Sequence, residues 1–445
     1  MSNIFKILLI FIIITSCTLS KNVKFWSDEK KPTIKEIEVV EKIKVNRLFN
    51  KTNGLDSEFN PNLNISLSNQ TISNIGANDQ NNNEGRYSYH GDLKKVSRFK
   101  FSKNENLFQY SPEILFENDN IIFFDAKGAI FKFDSNSNLI WKKNYYSKSQ
   151  KKQNPILIFQ KDNETLIVAD SIGKYYALDI NSGKLLWEQK NTSPYNSQIK
   201  IYKDKFFITD YENTLRAYSI KNGKEIWKLR TENTLIRSQQ KLSIVINKKN
   251  IYFNNSLGDI SAVNMQTGEL LWQRPTLSIS SSEGIHNLAN SELVSDSKNL
   301  YFSNNKNMFY SIDINTGVIN WQQTINSSLK PTLVENFIFT VSNNGFLILM
   351  NKDSGNIIRA TNLFKKQSKK YIRSKKIEDS IQPMGFIVGF KKIYLTTNKG
   401  QLYIIDILTG KTTETLKIDS ETVSRPYVLN KNLYIIKSNS IIKFN

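Results

Sequence analysis

The sequence contains one cysteine, Cys17, and two histidines, His90 and His286, far apart in the chain. A lone cysteine excludes an intramolecular disulfide, so stability must come from a packed core. Two distant histidines exclude a His-rich metal site, although a site built from Asp and Glu stays open. No glycine-rich phosphate loop, Ser/His/Asp set or paired-carboxylate motif stands out. Long apolar runs are missing as well. The run Ile7 to Ile14 (ILLIFIII) is too short to cross a bilayer as a helix.

What is abundant is positive charge. Lys and Arg number 61 against 40 Asp and Glu, for a formal net charge of +21. Such a balance invites a nucleic-acid or anionic-membrane reading. The lysines are, however, spread along the whole chain beside equally frequent Asn and Ile, which is the mark of a composition bias. No nucleic-acid partner is expected. With 445 residues, 39% of them hydrophobic, the chain is globular and core size sets no limit.

The first 17 residues carry a specific local signal. Lys6 precedes the apolar run, and Ile14-Thr15-Ser16-Cys17 follows it. This is the layout of a secretory signal peptide. Small residues ahead of the cysteine resemble the bacterial lipobox, whose cysteine is acylated and becomes the first residue of the mature chain. Residues 1–16 are therefore expected to be a lipoprotein signal peptide and Cys17 the lipidation site. Several acyl chains on one residue would anchor the chain firmly. Thr18 stands where an Asp would have favoured inner-membrane retention, so sorting to the outer membrane is allowed. Residues 17–87 then read as a lipidated, largely flexible tether. Within it, Asn74 to Gly85 (NIGANDQNNNEG) is too polar to offset its own ordering entropy.

Beyond the tether lies an internal repeat. Ala177 to Trp187 (ALDINSGKLLW), Ala217 to Trp227 (AYSIKNGKEIW), Ala262 to Trp272 (AVNMQTGELLW) and Ser311 to Trp321 (SIDINTGVINW) align without gaps. An earlier copy ends at Trp141. Two later copies keep the glycine but replace the tryptophan, Gly355 with Arg359 and Gly410 with Glu414. Successive tryptophans are 46, 40, 45 and 49 residues apart, the period of a four-stranded propeller blade. Upstream of each copy, branched and aromatic runs such as Thr165 to Leu178 read as hairpins. Gly128, Gly173, Gly258, Gly345 and Gly400, or Asn213 and Asn307 in two copies, occupy the hairpin turn. A tryptophan at blade spacing is expected to fill the seam between neighbouring blades, not to form a ligand cage.

Seven full copies run from about Ser111 to Ile418. An eighth, Asn432 to Phe444, stops before its outer strand, and Leu93 to Phe101 is β-like and available to supply it. The expected fold is all-β: an eight-bladed β-propeller of four-stranded antiparallel blades over residues 88–445. Pairing an N-terminal strand with the last blade closes it and leaves no open edge.

The Ala-(Leu/Val)-Asp, Gly, Trp pattern in an exported lipoprotein resembles the quinoprotein-like β-propeller family. Within it, the chain is similar to the scaffold lipoproteins of the outer-membrane β-barrel assembly machinery. That resemblance implies a non-catalytic scaffold, lipid-anchored at the outer membrane and facing the periplasm. It implies binding to the POTRA domains of BamA and help in inserting unfolded outer-membrane proteins. In the family, an apolar-Arg stretch and an acidic pair in the next inter-blade loop touch BamA. The matching positions are Leu235, Ile236 and Arg237, then Asn290 and Glu292; Asn290 departs from the pattern, where an acid is expected. Phe364 to Lys376 (FKKQSKKYIRSKK) has seven basic residues and no acid. It reads first as a solvated insertion and second as a loop for anionic lipid or an acidic partner.

The same family includes quinone-dependent dehydrogenases, which resemble longer chains with a vicinal disulfide and acidic calcium ligands. With no cysteine after Cys17, no cofactor is expected, and the enzyme reading is the alternative. A propeller binding another envelope protein or a polysaccharide is the third.

Overall fold

The computed structural model describes Leu55 and residues 57–68, 80–105, 107–110, 112–232, 241–276, 290–304, 306–365 and 380–445. These residues form eight four-stranded antiparallel sheets arranged as the blades of a propeller. In order, the blades span residues 115–143, 157–190, 200–230, 244–274, 294–323, 332–362 and 383–417, and the eighth is composite. Three of its strands are Pro426–Leu429, Asn432–Lys437 and Ser440–Phe444. Its outermost strand is Lys95–Lys100, which pairs antiparallel with Ser440–Phe444. The expected blade count and closing strand are both observed.

Within a blade the innermost three strands are almost wholly buried, while the outermost alternates with solvent. Thr165–Asp170 and Lys174–Asp179 are buried nearly throughout, whereas Leu185–Lys190 is largely exposed. The turn between the second and third strands is shaped by a side chain that mimics backbone. In blade 2, Asp170 Oδ1 accepts from the backbone N–H of Ile172 at 2.9 Å and of Lys174 at 2.8 Å. Gly173 then takes the positive φ the turn needs, 86°, and Asn213 and Asn307 adopt the same region at 57° and 66°.

The repeated Gly and Trp make the seams. A β-bulge falls at the same place in each of the first seven blades, between the third and outermost strands, beside Ala177, Ala217 and Ala262 for example. The extra residue turns the following tryptophan toward the next blade. There Trp141, Trp187, Trp227, Trp272 and Trp321 lie on Gly183, Gly223, Gly268, Gly317 and Gly355. Each indole N–H also donates to a carbonyl beside that glycine turn: Ile180, Ile220, Met265, Ile314 and Lys352, at 2.8–3.3 Å. Burying a large apolar side chain contributes about 1.5–3 kcal/mol and each such hydrogen bond about 1 kcal/mol.

Arg359 takes the tryptophan place in blade 6 and is fully buried against Gly410. Its guanidinium donates to Ile407 O at 3.2 Å, the counterpart of the indole acceptors, and also to Leu408 O. A third bond reaches Leu63 O at 2.9 Å, outside the propeller. Arginine thus replaces one seam contact with three, and the extra one holds residues 57–68 to the rim. Phe59 pairs there with Ala360, and Ile65 N–H donates to Leu408 O.

The four-stranded blades give the propeller two distinct ends. One, here the turn face, carries the turns after each first strand and the glycine turns. The other, the loop face, carries the connections from each outermost strand to the next blade's innermost strand. Residues 80–87, grouped with the flexible tether by composition, enter the central channel from the turn face. Gln80 bonds Ile201 O and Ile246 N–H, Asn81 O accepts from Ser295 N–H, and Asn83 bonds both polar groups of Leu333. The chain then returns past Val388 and Phe390 to the closing strand. Asn82, Glu84 and Arg86 are buried. A polar segment is stable here because inner-strand backbone groups and side chains satisfy it, a partner set that composition does not reveal.

Two outcomes test these contacts. Gly268→Ala places a Cβ 2.6 Å from the Trp227 ring at φ 76°; strain of about 1–3 kcal/mol plus the clash should lower the thermal midpoint clearly. Arg359→Ala should leave the propeller folded but make residues 57–68 a site of rapid limited proteolysis.

Candidate functional site

Every inter-blade connection ends at the axis on the loop face, so the residues just ahead of the innermost strands face one another across the channel mouth. A recurring serine sets them. Ser197, Ser291 and Ser424 each accept through Oγ from the N–H of the residue twelve positions on, Thr209, Ser303 and Ile436. The residue after each serine, Gln198, Glu292 or Arg425, lines the axial pocket with Lys241, Lys330 and Glu113. Glu84, from the inserted segment 80–87, contributes from below. Pro112, Leu329, Met384 and Tyr427 form apolar wall.

These charges form a closed network. Lys330 Nζ lies 2.9 Å from Glu84 and 3.3 Å from Glu292, and Arg425 binds the other Glu84 oxygen. Gln198 Nε2 donates to Glu292 at 2.9 Å, and Lys241 pairs with Glu113 at 2.7 Å. Burial would raise the Glu84 carboxyl, but Arg425 and Lys330 outweigh it and hold its pKa at about 2. Burial acts on Glu292 in the same way, and Lys330, Arg425 and Lys241 bring it below the ordinary carboxylate range. On Lys330, desolvation is likewise outweighed, by Glu292 and Glu84, and its pKa is raised. Glu84 and Glu292 are pushed toward the carboxylate and Lys330 and Arg425 toward the cation, which suits recognition of shape and charge better than proton transfer.

Asn290 and Glu292 are the two expected contact residues that lie within the described structure. Asn290 lines the pocket and pairs across to Asn304, with its Oδ1 buried and lacking a hydrogen bond among the described residues. Glu292 is not a free loop acid; its side chain is 19% exposed and held by Lys330 and Gln198. Leu235, Ile236 and Arg237 lie outside the described residues, as do Cys17 and residues 366–376. Glu84, Lys330, Arg425 and Lys241 escaped sequence reasoning. The signal that would have found Arg425 is the repeated serine ahead of it; Glu84 carries none, because it comes from outside the repeat.

A family model described as outer membrane protein assembly factor BamB matches residues 112–361, more than half of the chain. The chain belongs to the BamB family. A curated BamB from Legionella pneumophila (strain Paris) is 25% identical over 140 residues, 28% of this chain and 35% of that protein, so the chain spans about a third of that relative's length. Among solved structures, BamB from Moraxella catarrhalis superposes with a TM-score of 0.64 at 17% identity, covering 79% of this chain and 99% of that one. A europium-containing methanol dehydrogenase gives 0.60 at 13% identity, covering 80% and 88%. The quinohemoprotein alcohol dehydrogenase of Comamonas testosteroni gives 0.57 at 10% identity, covering 81% and 78%. At these identities the likeness is one of fold.

The donor set of this BamB-family pocket does not fit the metal and quinone of those enzymes. Both oxygens of Glu84 hold cations, and Glu292 is bound by Lys330 and Gln198. Among the described residues, no group of three or more His, Cys, Asp and Glu is arranged to hold a metal ion.

Glu84 gives the pocket a pH signature. Its carboxyl is depressed from 4.5 to about 2 in the folded protein, so its stabilisation is complete above pH 4.5 and disappears as the pH falls toward 2. Glu84→Gln leaves buried cations short of a partner and should cost about 3–5 kcal/mol at pH 7. The gap in thermal midpoint between wild type and variant should be widest above pH 4.5 and close on acidification; a gap independent of pH would contradict the assignment.

Proposed function

We propose that the chain is a non-catalytic scaffold lipoprotein of the outer-membrane protein assembly machinery. It is anchored through acylated Cys17 at the outer membrane, faces the periplasm, and binds the POTRA domains of BamA. In that position it assists insertion of β-barrel proteins arriving unfolded. The observation that carries this reading is the BamB family match across most of the propeller. Further support comes from the loop face. Lys241 and Asn290, which follow the stretches 233–240 and 277–289, both line the axial pocket. In this reading Leu235, Ile236 and Arg237, which lie outside the described residues, act with Asn290 and Glu292 as one surface. Arg237 is the anchor of choice, since a charge-assisted bond from arginine can dominate an interface.

The quinone-dependent dehydrogenase alternative shares the fold but needs free axial carboxylates, and Glu84 and Glu292 are paired. A propeller that binds a different envelope protein or a polysaccharide would keep the fold and lose the BamA contact.

Calorimetric titration of the chain from Thr18 onward against the POTRA domains of the same organism's BamA tests the reading. Micromolar or tighter binding is expected, abolished by Arg237→Glu and weakened at least tenfold by Arg237→Ala. Absence of binding at high concentration would move the function to another envelope partner, and an unchanged affinity for Arg237→Ala would remove Arg237 from the interface.

A further inference from the structure

On the turn face, a cleft opens between blades 3 and 4. Its walls are the turns after their innermost strands, with Tyr202, Lys203, Lys248 and Lys249, and its floor is the glycine turn 264–267. No acidic side chain lines it. None of the three lysines forms an ion pair among the described residues; the adjacent Asp204 is bonded to Lys205 at 3.3 Å. All three lysines and Tyr202 are exposed.

The backbone shows that these lysines are not the residues the turns prefer. In six blades the first residue of this turn adopts positive φ. Asn fills the place three times, as Asn118, Asn163 and Asn430. Glu335 fills it once and there bonds Ser68. Lys203 and Lys248, both at φ 54°, are the remaining two, and they flank the one cleft. Lysine in the left-handed region is strained where asparagine is tolerated. Two strained lysines thus sit on adjacent blades beside one basic cleft, where Lys203 Nζ lies 5.5 Å from the centre of the Tyr202 ring, a weak cation–π return at an exposed site.

The surroundings indicate the occupant. Gln80 bonds Ile201 O and is bonded by Ile246 N–H, joining the two strands whose turns form the cleft. The inserted segment therefore enters the channel from this face, and residues 57–68 ahead of it are held on the same face, Ser68 by Glu335 and Ile65 by Leu408. The glycine turn of the floor runs into Leu270 and Leu271, both exposed, and Leu139, Ile140, Leu186 and Ile226 repeat those exposed positions on blades 1 to 3. A basic cleft beside an exposed aliphatic rim and a surface tyrosine matches the boundary between lipid headgroups and acyl chains.

We propose that the turn face docks on a bilayer, with the cleft of Lys203, Lys248 and Lys249 taking the phosphate of an anionic phospholipid headgroup. The choice of occupant rests on the membrane-tethered reading above. The loop face would then point away from the membrane, toward protein partners.

The test is sedimentation with vesicles of phosphatidylglycerol and phosphatidylcholine, or of phosphatidylcholine alone. The chain is residues 17–445 with Cys17→Ser, which carries no acyl group and contains all eight blades, the closing strand and the inserted segment. Binding to the anionic vesicles only, weakening with salt, is expected. Lys203→Asn, Lys248→Asn and Lys249→Gln together should weaken it about a hundredfold, at roughly fivefold per lysine. Asparagine suits both turns, so the thermal midpoint should hold or rise, which separates lost binding from lost folding. Lys148→Gln, Lys151→Gln and Lys152→Gln remove equal charge on the loop face and should change binding little. Equal weakening by both triples, no weakening by either, or no binding to anionic vesicles would overturn the proposal. Neither lipidation of Cys17 nor the POTRA interaction enters this assay, so its failure and theirs are distinct results.

Discussion

Because the glycine at each outer turn has no side chain, the indole of the preceding blade lies directly on its backbone and donates to the carbonyl beside it. Everything else in the propeller depends on that contact. It sets the angle between sheets, so the innermost strands converge on an axis and their leading residues meet around a channel. A single sheet cannot bury both of its faces; a ring of them can, provided each seam is filled. The five tryptophans and Arg359 fill six seams with one geometry: a large planar group over glycine and a donor to the same carbonyl. The arginine variant shows what the geometry requires, which is planarity and a directed N–H more than aromatic character.

The axis presents the opposite problem. Strands that converge leave a polar opening, and here it is filled by the chain itself. Asn82 satisfies Ile244 O and Leu293 O, and Lys200 donates to its side-chain oxygen. Glu84 balances Lys330 and Arg425 at the far end. A buried ion-pair network of this kind is weak evidence for added stability and better understood as a device of specificity, since each charge accepts few alternative neighbours. It fixes where the inserted segment sits and therefore from which face it enters the channel. The pocket on the loop face and the entry on the turn face are two consequences of one insertion.

The repeat was legible in the sequence because its residues answer to local rules. Glycine at positive φ, a branched or aromatic run, and tryptophan four residues past a glycine recur at blade spacing, and the bulge, seam and turn follow from them. Closure by Lys95–Lys100 was readable because the last copy is one strand short. The inserted segment was not. Asn82, Glu84 and Arg86 look like solvated linker in isolation, since all their partners but one, Ser68, lie 116 to 341 residues away. Glu292 was singled out as a contact acid, and its ion pair with Lys330 was hidden for the same reason. Local chemistry reveals the blades, and long-range pairing builds the site.

The composite eighth blade also governs the order in which the molecule can be made. Lys100 pairs with Ser440 and Lys95 with Phe444, so the ring stays open until almost the last residue has been delivered. Bringing ends so distant together carries the entropy of closing a very long loop, and non-local strand pairing of this kind is slow. A chain made from its N-terminus thus waits, with seven blades available and one edge bare, for its final strand. Any product that stops short of residue 440 keeps that bare edge. Truncation is converted into an exposed, protease-accessible state, and completeness of synthesis becomes a condition of survival.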